Sequence, residues 1–272
     1  MNPIVMDTTL PALFVPHGAP TFALAPGAAG AAMAAAARAL PRPRAIVVVS
    51  AHWEVDVPTL GVAEELETIH DFWGFPAPLY DLRYPARGSL AAAEEVRQAL
   101  RRGGYQARLD TGRGLDHGAW IPLRQMYPAG DIPVVPLSLL HGQGPAAHFA
   151  LGRALAPLLA KGILVLASGN LTHNLQDYGI ARLNGTGSPA YVGRFADWMW
   201  QRLAAGDSAA VIDYRQLAPE AARAHPGEDH LLPLHVALGA AGPAWTAERL
   251  YDGIDNLVLA MDAYAFHPQE LQ

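Results

Sequence analysis

Histidines placed at the ends of apolar runs are the chemistry-bearing feature of this sequence. "ALFVPHGAP" carries His17 just after one run, "IVVVSAHWE" carries His52 after a second, and "ILVLASGNLTH" carries His173 after a third. The chain has no cysteine, so a transition-metal site must draw on histidine, carboxylate or water. One histidine after a strand is ordinary. Three of them suggest a shared site, because ligands in open α/β sheets sit beyond the carboxyl ends of the strands. Ser168 and Gly169 are small enough for the chain to leave the third run sharply, so that His173 turns back over the sheet edge. A further candidate lies in "AHPGEDHLLPLHVALG". There His230 opens a predicted helix, and the acidic pair Glu228 and Asp229 stands ready to orient its ring. His225 precedes Pro226 in an extended or turn segment, with ligation and packing both open to it. His235 reads as a helix-packing residue.

His117 in "GLDHGAW" follows Asp116, and a neighbouring carboxylate raises imidazole basicity and suits it to proton transfer. The plainer alternative is a loop-packing residue. Aromatic side chains crowd "HDFWGFPAPLYDLRYP": Phe72, Trp73, Phe75, Tyr80 and Tyr84. They form a lid packed on the domain, a wall for a flat substrate, or both. His70 in the same loop touches substrate or packs. Arg83 neutralises a substrate carboxylate or is a surface arginine. His141, His148 and His267 read as structural or surface residues. No G-x-S-x-G, P-loop or G-x-G-x-x-G pattern competes with the histidines.

The elements that must position these residues follow from apolar runs and caps. Buried strands are predicted at 12–16, 45–50, 59–63, 132–139 and 163–168, with a further long strand at 256–266. Helices are predicted at 31–40, 89–102 with Ser89 as N-cap, 146–160, 191–206 and 230–242. Strands alternating with helices imply an α/β fold. The expected form is a single-domain α/β/α sandwich with a mostly parallel, mixed central sheet. It is expected to span residues 1–272 with its core at about 11–265, and 70–88 is its main loop excursion. Apolar residues make up 51% of the 272, enough for a sizeable core. No uninterrupted apolar run reaches about 18 residues, so no membrane span is expected. The formal charge of −6 argues against a general nucleic-acid binder. "MNPIVMDTTLPALFV" lacks a basic n-region and a separate apolar region, so no signal peptide is expected and the default location is cytoplasmic.

Taken in order, "PHGAP", "SAHWE", "HDFWGFPAPLYDLRYPA", "GLDHGAW", "PVVPLSL", "ASGNLTHNL" and "HPGEDHLLPLHVALGAAG" resemble the class III extradiol ring-cleaving dioxygenases of the DOPA 4,5-dioxygenase type. The resemblance runs from about residue 11 to about 265. It implies one divalent metal held by His17, His52 and His230. His173 would act as an acid/base group or as a further ligand to zinc, and His117 would contact the substrate hydroxyls. Better-studied class III enzymes use two histidines and a glutamate, so Glu228 and Asp229 stay open as alternatives to His230. Ala19 and Arg87 stand where the family commonly has Ser and Pro, and neither touches a proposed ligand.

The implied reaction inserts O2 into a small aromatic diol and opens the ring to a muconic semialdehyde. Iron(II) would serve catalysis, with zinc an alternative occupant of the isolated protein. His173 and His117 would move protons, and His117, His70, Trp73 and Tyr84 would face the substrate. A monomer or small homo-oligomer is expected. Two competing expectations are a zinc hydrolase, since three histidines and a water also make a hydrolytic site, and a non-catalytic metal-dependent binder of aromatic acids.

Overall fold

The structure is a computed structural model that describes residues 9–269; the expectation for the amino-terminal segment falls on residues 1–8, outside the described part. An eight-stranded sheet organises the chain in the order β4-β3-β5-β2-β6-β1-β10-β7. Its strands are β1 (Ala12–Pro16), β2 (Ala45–Val55), β3 (Thr59–Gly61), β4 (Arg108–Asp110), β5 (Val134–Leu140), β6 (Ile163–Gly169), β7 (Trp245–Tyr251) and β10 (Ala263–Pro268). A separate two-stranded pair is formed by β8 (Ile254–Asp255) and β9 (Leu259–Ala260). The central strands β5, β2, β6 and β1 run parallel, while β10 and β7 close one side antiparallel. The sheet is therefore mixed and mostly parallel, as the alternating pattern predicts. Every residue of β1, β5 and β6 is buried, which is why these strands read as continuous apolar runs.

The long helices are α1 (Gly27–Ala39), α3 (Leu90–Arg102), α4 (His117–Met126), α5 (Pro145–Leu155), α6 (Leu175–Asn184), α7 (Ala190–Ala204) and α11 (Leu232–Ala240). Short turns of helix are α2 (Pro78–Asp81), α8 (Ser208–Ile212), α9 (Tyr214–Leu217) and α10 (Ala221–Ala224). α1 packs with α4, and α3 and α11 pack with α5; α4 and α11 both reach the central strands, giving the layers of an α/β/α sandwich. Ser89 caps α3 as expected, its side chain accepting from the Ala92 N–H at 3.2 Å. No helix among the described residues is long and apolar enough to cross a membrane.

Three expectations change. The predicted strand 256–266 is broken: Asn256 and Leu257 take φ of 45° and 65°, and only Ala263–Pro268 joins the main sheet. An apolar run conceals such a turn. β7 was not foreseen, because it is a partly exposed edge strand rather than a buried run. The segment carrying His117, for which a loop was the plainer alternative, is the helix α4; Asp116 caps it by accepting from the Ala119 N–H at 3.1 Å.

α5 and α11 cross at two glycines. A Cβ on Gly152 would run into the Val236 carbonyl oxygen, and one on Gly239 into the Phe149 carbonyl oxygen. Alanine would gain about 1 kcal/mol of helix propensity at either site, but backbone overlap in a packed interior outweighs that. Gly152→Ala and Gly239→Ala should each lower stability by about 2 kcal/mol net, measured by urea unfolding. A variant as stable as the parent would show that the helices part freely.

Candidate active site

β2, β6 and β1 are adjacent and parallel, so their carboxyl ends lie side by side. His17 is the first residue after β1. Its N–H donates to the Gly169 carbonyl at 3.1 Å, and its ring Nδ1 lies 3.0 Å from Ser168 Oγ. Gly18 then turns the chain at φ +62° and donates to Asn170 Oδ1 at 3.1 Å. His52 does not follow a strand end, contrary to expectation; it lies inside β2. That strand is irregular there, because its pairing with β6 stops at Ser50 and its register with β5 shifts between Val49 and Glu54. Such a bulge re-aims a side chain. The outcome is His52 Nε2 at 3.2 Å from His17 Nε2.

His117 is the first residue of α4 rather than a loop residue. Asp116 is not its carboxylate partner. Asp116 caps α4, accepts from the Ser50 hydroxyl at 2.5 Å and pairs with Arg113. The partner is Asp71, whose Oδ1 accepts from the His117 backbone N–H at 2.8 Å and lies 3.0 Å from ring Nδ1. Asp71 Oδ2 also faces His52 Nδ1 at 3.8 Å. Gly118 permits this approach of α4 to β2, since a Cβ there would strike Ser50 and His52.

His230 sits in the turn before α11. Asp229 Oδ2 is 2.5 Å from its Nδ1, so the acidic neighbour does orient the ring. Glu228 faces elsewhere, accepting from the Tyr214 hydroxyl at 2.8 Å. The His173 and His230 rings stack with centroids 3.5 Å apart and an interplanar angle of 4°. The His230 centroid is 5.2 Å from that of His17 and 4.9 Å from that of His52. One ring nitrogen from each of His17, His52 and His117 lies within 4.8 Å of the others. Five imidazoles thus converge from five segments.

Their electrostatics suit a cation. Burial first, and then the neighbouring His52, holds His17 well below the ordinary imidazole range. Burial and His117 push His52 down, and burial lowers His173 and His230. Burial works to raise Asp71, but its hydrogen bonds to His117 win and hold it at about 2. Asp229 is lowered in the same way by His230, against its own burial. Neutral rings beside ionised carboxylates are the donor state that divalent metals take up.

The five histidines floor a cavity of about 630 Å³, walled by Phe72, Phe75, Leu175, Val258 and Leu259, with Trp73 at its rim. Trp73 is 85% exposed. His70 and Tyr84 do not line this cavity. His70 is held by the Leu82 carbonyl at 3.1 Å, and buried Tyr84 donates to the Tyr127 carbonyl at 3.0 Å. Both line a separate cleft. Arg83 donates to the backbone carbonyls of Tyr80 and Leu82 and also lies in that cleft. His225 and His235 are buried against backbone carbonyls, as packing residues are. His148 donates from Nδ1 to the Gly144 carbonyl and accepts at Nε2 from the Leu140 N–H, and His141 and His267 face Glu54 and Glu248. Asp71 and Asn170 escaped the sequence reading. Asp71 stands next to His70 in the aromatic loop, and no local pattern connects it with His117, 46 positions away.

Comparison with known proteins agrees with this geometry. Residues 25–257 match the family described as the catalytic LigB subunit of aromatic ring-opening dioxygenase. The chain is 40% identical to a 4,5-DOPA dioxygenase extradiol of Mirabilis jalapa over 228 residues, 84% of each chain. It is 38% identical to that of Escherichia coli over 253 residues, 88% of this chain and 90% of the other. A crystal structure of an uncharacterized Escherichia coli K12 protein superposes with a TM-score of 0.78 at 31% identity, covering 94% of this chain and 99% of that one. The chain belongs to the class III extradiol ring-opening dioxygenases. Within them it is of the DOPA 4,5-dioxygenase type, and its three-histidine group fits a bound metal ion.

The Asp71 geometry makes a direct prediction. With Nδ1–H donated to Asp71, the neutral tautomer of His117 presents Nε2 as its lone-pair nitrogen. Asp71→Ala should free the ring and move the proton toward Nε2, read by long-range ¹⁵N–¹H correlation on histidine-labelled protein. An unchanged tautomer would show that the carboxylate does not orient the ring.

Proposed function

We propose that this enzyme is a metal-dependent extradiol dioxygenase that inserts both atoms of O2 into a catechol of the DOPA kind and opens the ring beside the diol to a muconic semialdehyde. The observation that carries the reading is the convergence of five imidazoles beneath an apolar, aromatic-walled cavity, in a chain of the ring-opening family. Three histidines alone suit hydrolysis equally well; the family membership supports ring opening.

His17, His52 and His230 hold one divalent ion. Ser168 anchors the Nδ1 side of His17 and Asp229 that of His230, leaving Nε2 of each for the metal. Bound iron(II) supplies the one-electron reactivity toward O2 that zinc lacks, and zinc is the expected occupant of protein isolated without iron. His117, oriented by Asp71, takes or returns a proton at a substrate hydroxyl. His173, stacked on the His230 ring, serves as the second acid/base group, or as a further ligand when zinc is bound. Phe72 and Trp73 wall the flat ring, and the apolar lining excludes water from the opened product. The enzyme acts on a small molecule and O2, in the cytoplasm, without nucleic acid.

Anaerobic iron loading followed by a catechol panel should give oxygen uptake and yellow ring-opened product. Hydrolysis of esters or amides without oxygen uptake would refute the proposal. His17→Ala, His52→Ala and His230→Ala should each lose most of the metal, measured by elemental analysis. His117→Gln should keep it while kcat falls by roughly 10²–10⁴-fold. If His117→Gln loses metal and His230→Ala keeps it, the third ligand is His117.

A further inference from the structure

The cavity holds one charged group that the ring-opening chemistry leaves unused. Arg182 is the sole lysine or arginine among its lining residues. α6 begins directly after His173, with Asn174 as its N-cap, and Leu175, Tyr178 and Arg182 of this helix all line the cavity. Their i, i+3, i+7 spacing is one helix face. The helix rises ~10 Å from Leu175 to Arg182. The face therefore runs from an apolar side chain nearest His173 in sequence, through a phenol, to a guanidinium two turns farther along.

No carboxylate among the described residues neutralises that guanidinium. Among the described residues Arg182 forms no ion pair, and its side chain donates to Tyr178 Oη at 3.5 Å. Nearby arginines are committed: Arg223 to Asp177 and Glu220, and Arg113 to Asp116. The carboxylate that lines the cavity, Asp71, is taken up by His117.

We infer that Arg182 is a specificity residue that binds an anionic group on the catechol's side chain, remote from the diol. The inference rests on the catechol-cleaving reading of the site and names the charge and reach of the substrate. With the diol at the histidines, a carboxylate attached directly to the ring falls short along the helix face. A carboxylate on a short saturated side chain reaches farther toward Arg182, with the Tyr178 hydroxyl beside it. A neutral side chain leaves the guanidinium in water at no penalty, so the selection is for the anion and not against the neutral ligand. Arg182 is exposed, which keeps the effect to that of one hydrogen-bonded charge pair.

The test uses the iron-loaded enzyme with dihydroxyphenylpropanoate, dihydroxybenzoate and ethylcatechol. Wild type should favour the propanoate over ethylcatechol by about tenfold in kcat/KM, with the benzoate handled like the neutral compound. Arg182→Gln should raise KM for the propanoate by about the same factor, leave kcat little changed, and leave ethylcatechol kinetics as they were. Arg182→Lys should recover part of the preference. Calorimetric titration of the zinc-loaded protein with the propanoate, where no turnover occurs, should show the same loss on Arg182→Gln. If Arg182→Gln keeps the wild-type preference, or wild type has none, the inference is overturned while ring cleavage stands. A wild type that cleaves none of the three overturns the catechol reading, and this inference with it.

Discussion

The carboxyl end of β6 is the joint on which the site depends. Ser168 meets the His17 ring, the Gly169 carbonyl accepts the His17 N–H, and Asn170 binds the Gly18 N–H through its side chain. On the other side, the Asn170 N–H donates to the His230 carbonyl at 3.0 Å. A Cβ on Gly169 would collide with that same carbonyl oxygen. Three consecutive small residues thus fasten two histidine-bearing segments to one strand, through bonds that are buried and therefore expensive to leave unmade. His52 is then presented from β2, the next strand across.

The site accepts an electrostatic burden that the rest of the core avoids. Five imidazole rings are packed together, each in contact with at least one other. Burial holds His17, His52, His173 and His230 below the ordinary imidazole range, and two ionised carboxylates, Asp71 and Asp229, are placed against ring Nδ1 positions rather than in the centre. The arrangement directs lone pairs inward and negative charge outward. A cation entering such a centre meets donors and no competing proton, and the surrounding apolar walls strengthen each contact it makes.

Much of this was legible because parallel strands buried on both faces leave unmistakable runs, and histidines at their ends are conspicuous. His17 and His173 were found that way, and His230 by its place at the start of a predicted helix beside two acidic residues. His52 was found for a reason that proved incomplete: the run stops at Ser50, but the strand continues, and the bulge that aims the ring is a matter of register with β5. Asp116 shows the limit of adjacency. Next to His117 in sequence, it turns toward Ser50 and the helix amides, while distant Asp71 takes its place. His70 and Tyr84 share the aromatic loop with Trp73, yet the loop folds so that they face another cleft. Sequence shows which residues can do chemistry; which side of a loop each one faces depends on packing partners far along the chain.

The bond between His17 and Ser168 joins residues 151 positions apart, and the one between Gly18 and Asn170 joins residues 152 apart. Nearly the whole chain must be ordered before the histidines assemble, so the metal-binding centre is absent from any early collapsed state. A metal ion held by these histidines would select the finished fold and add its binding energy there. The sheet must stand on its own first, with parallel pairings that form slowly because their loops are long. A bound ion would then act as a latch on a completed structure, slowing its opening.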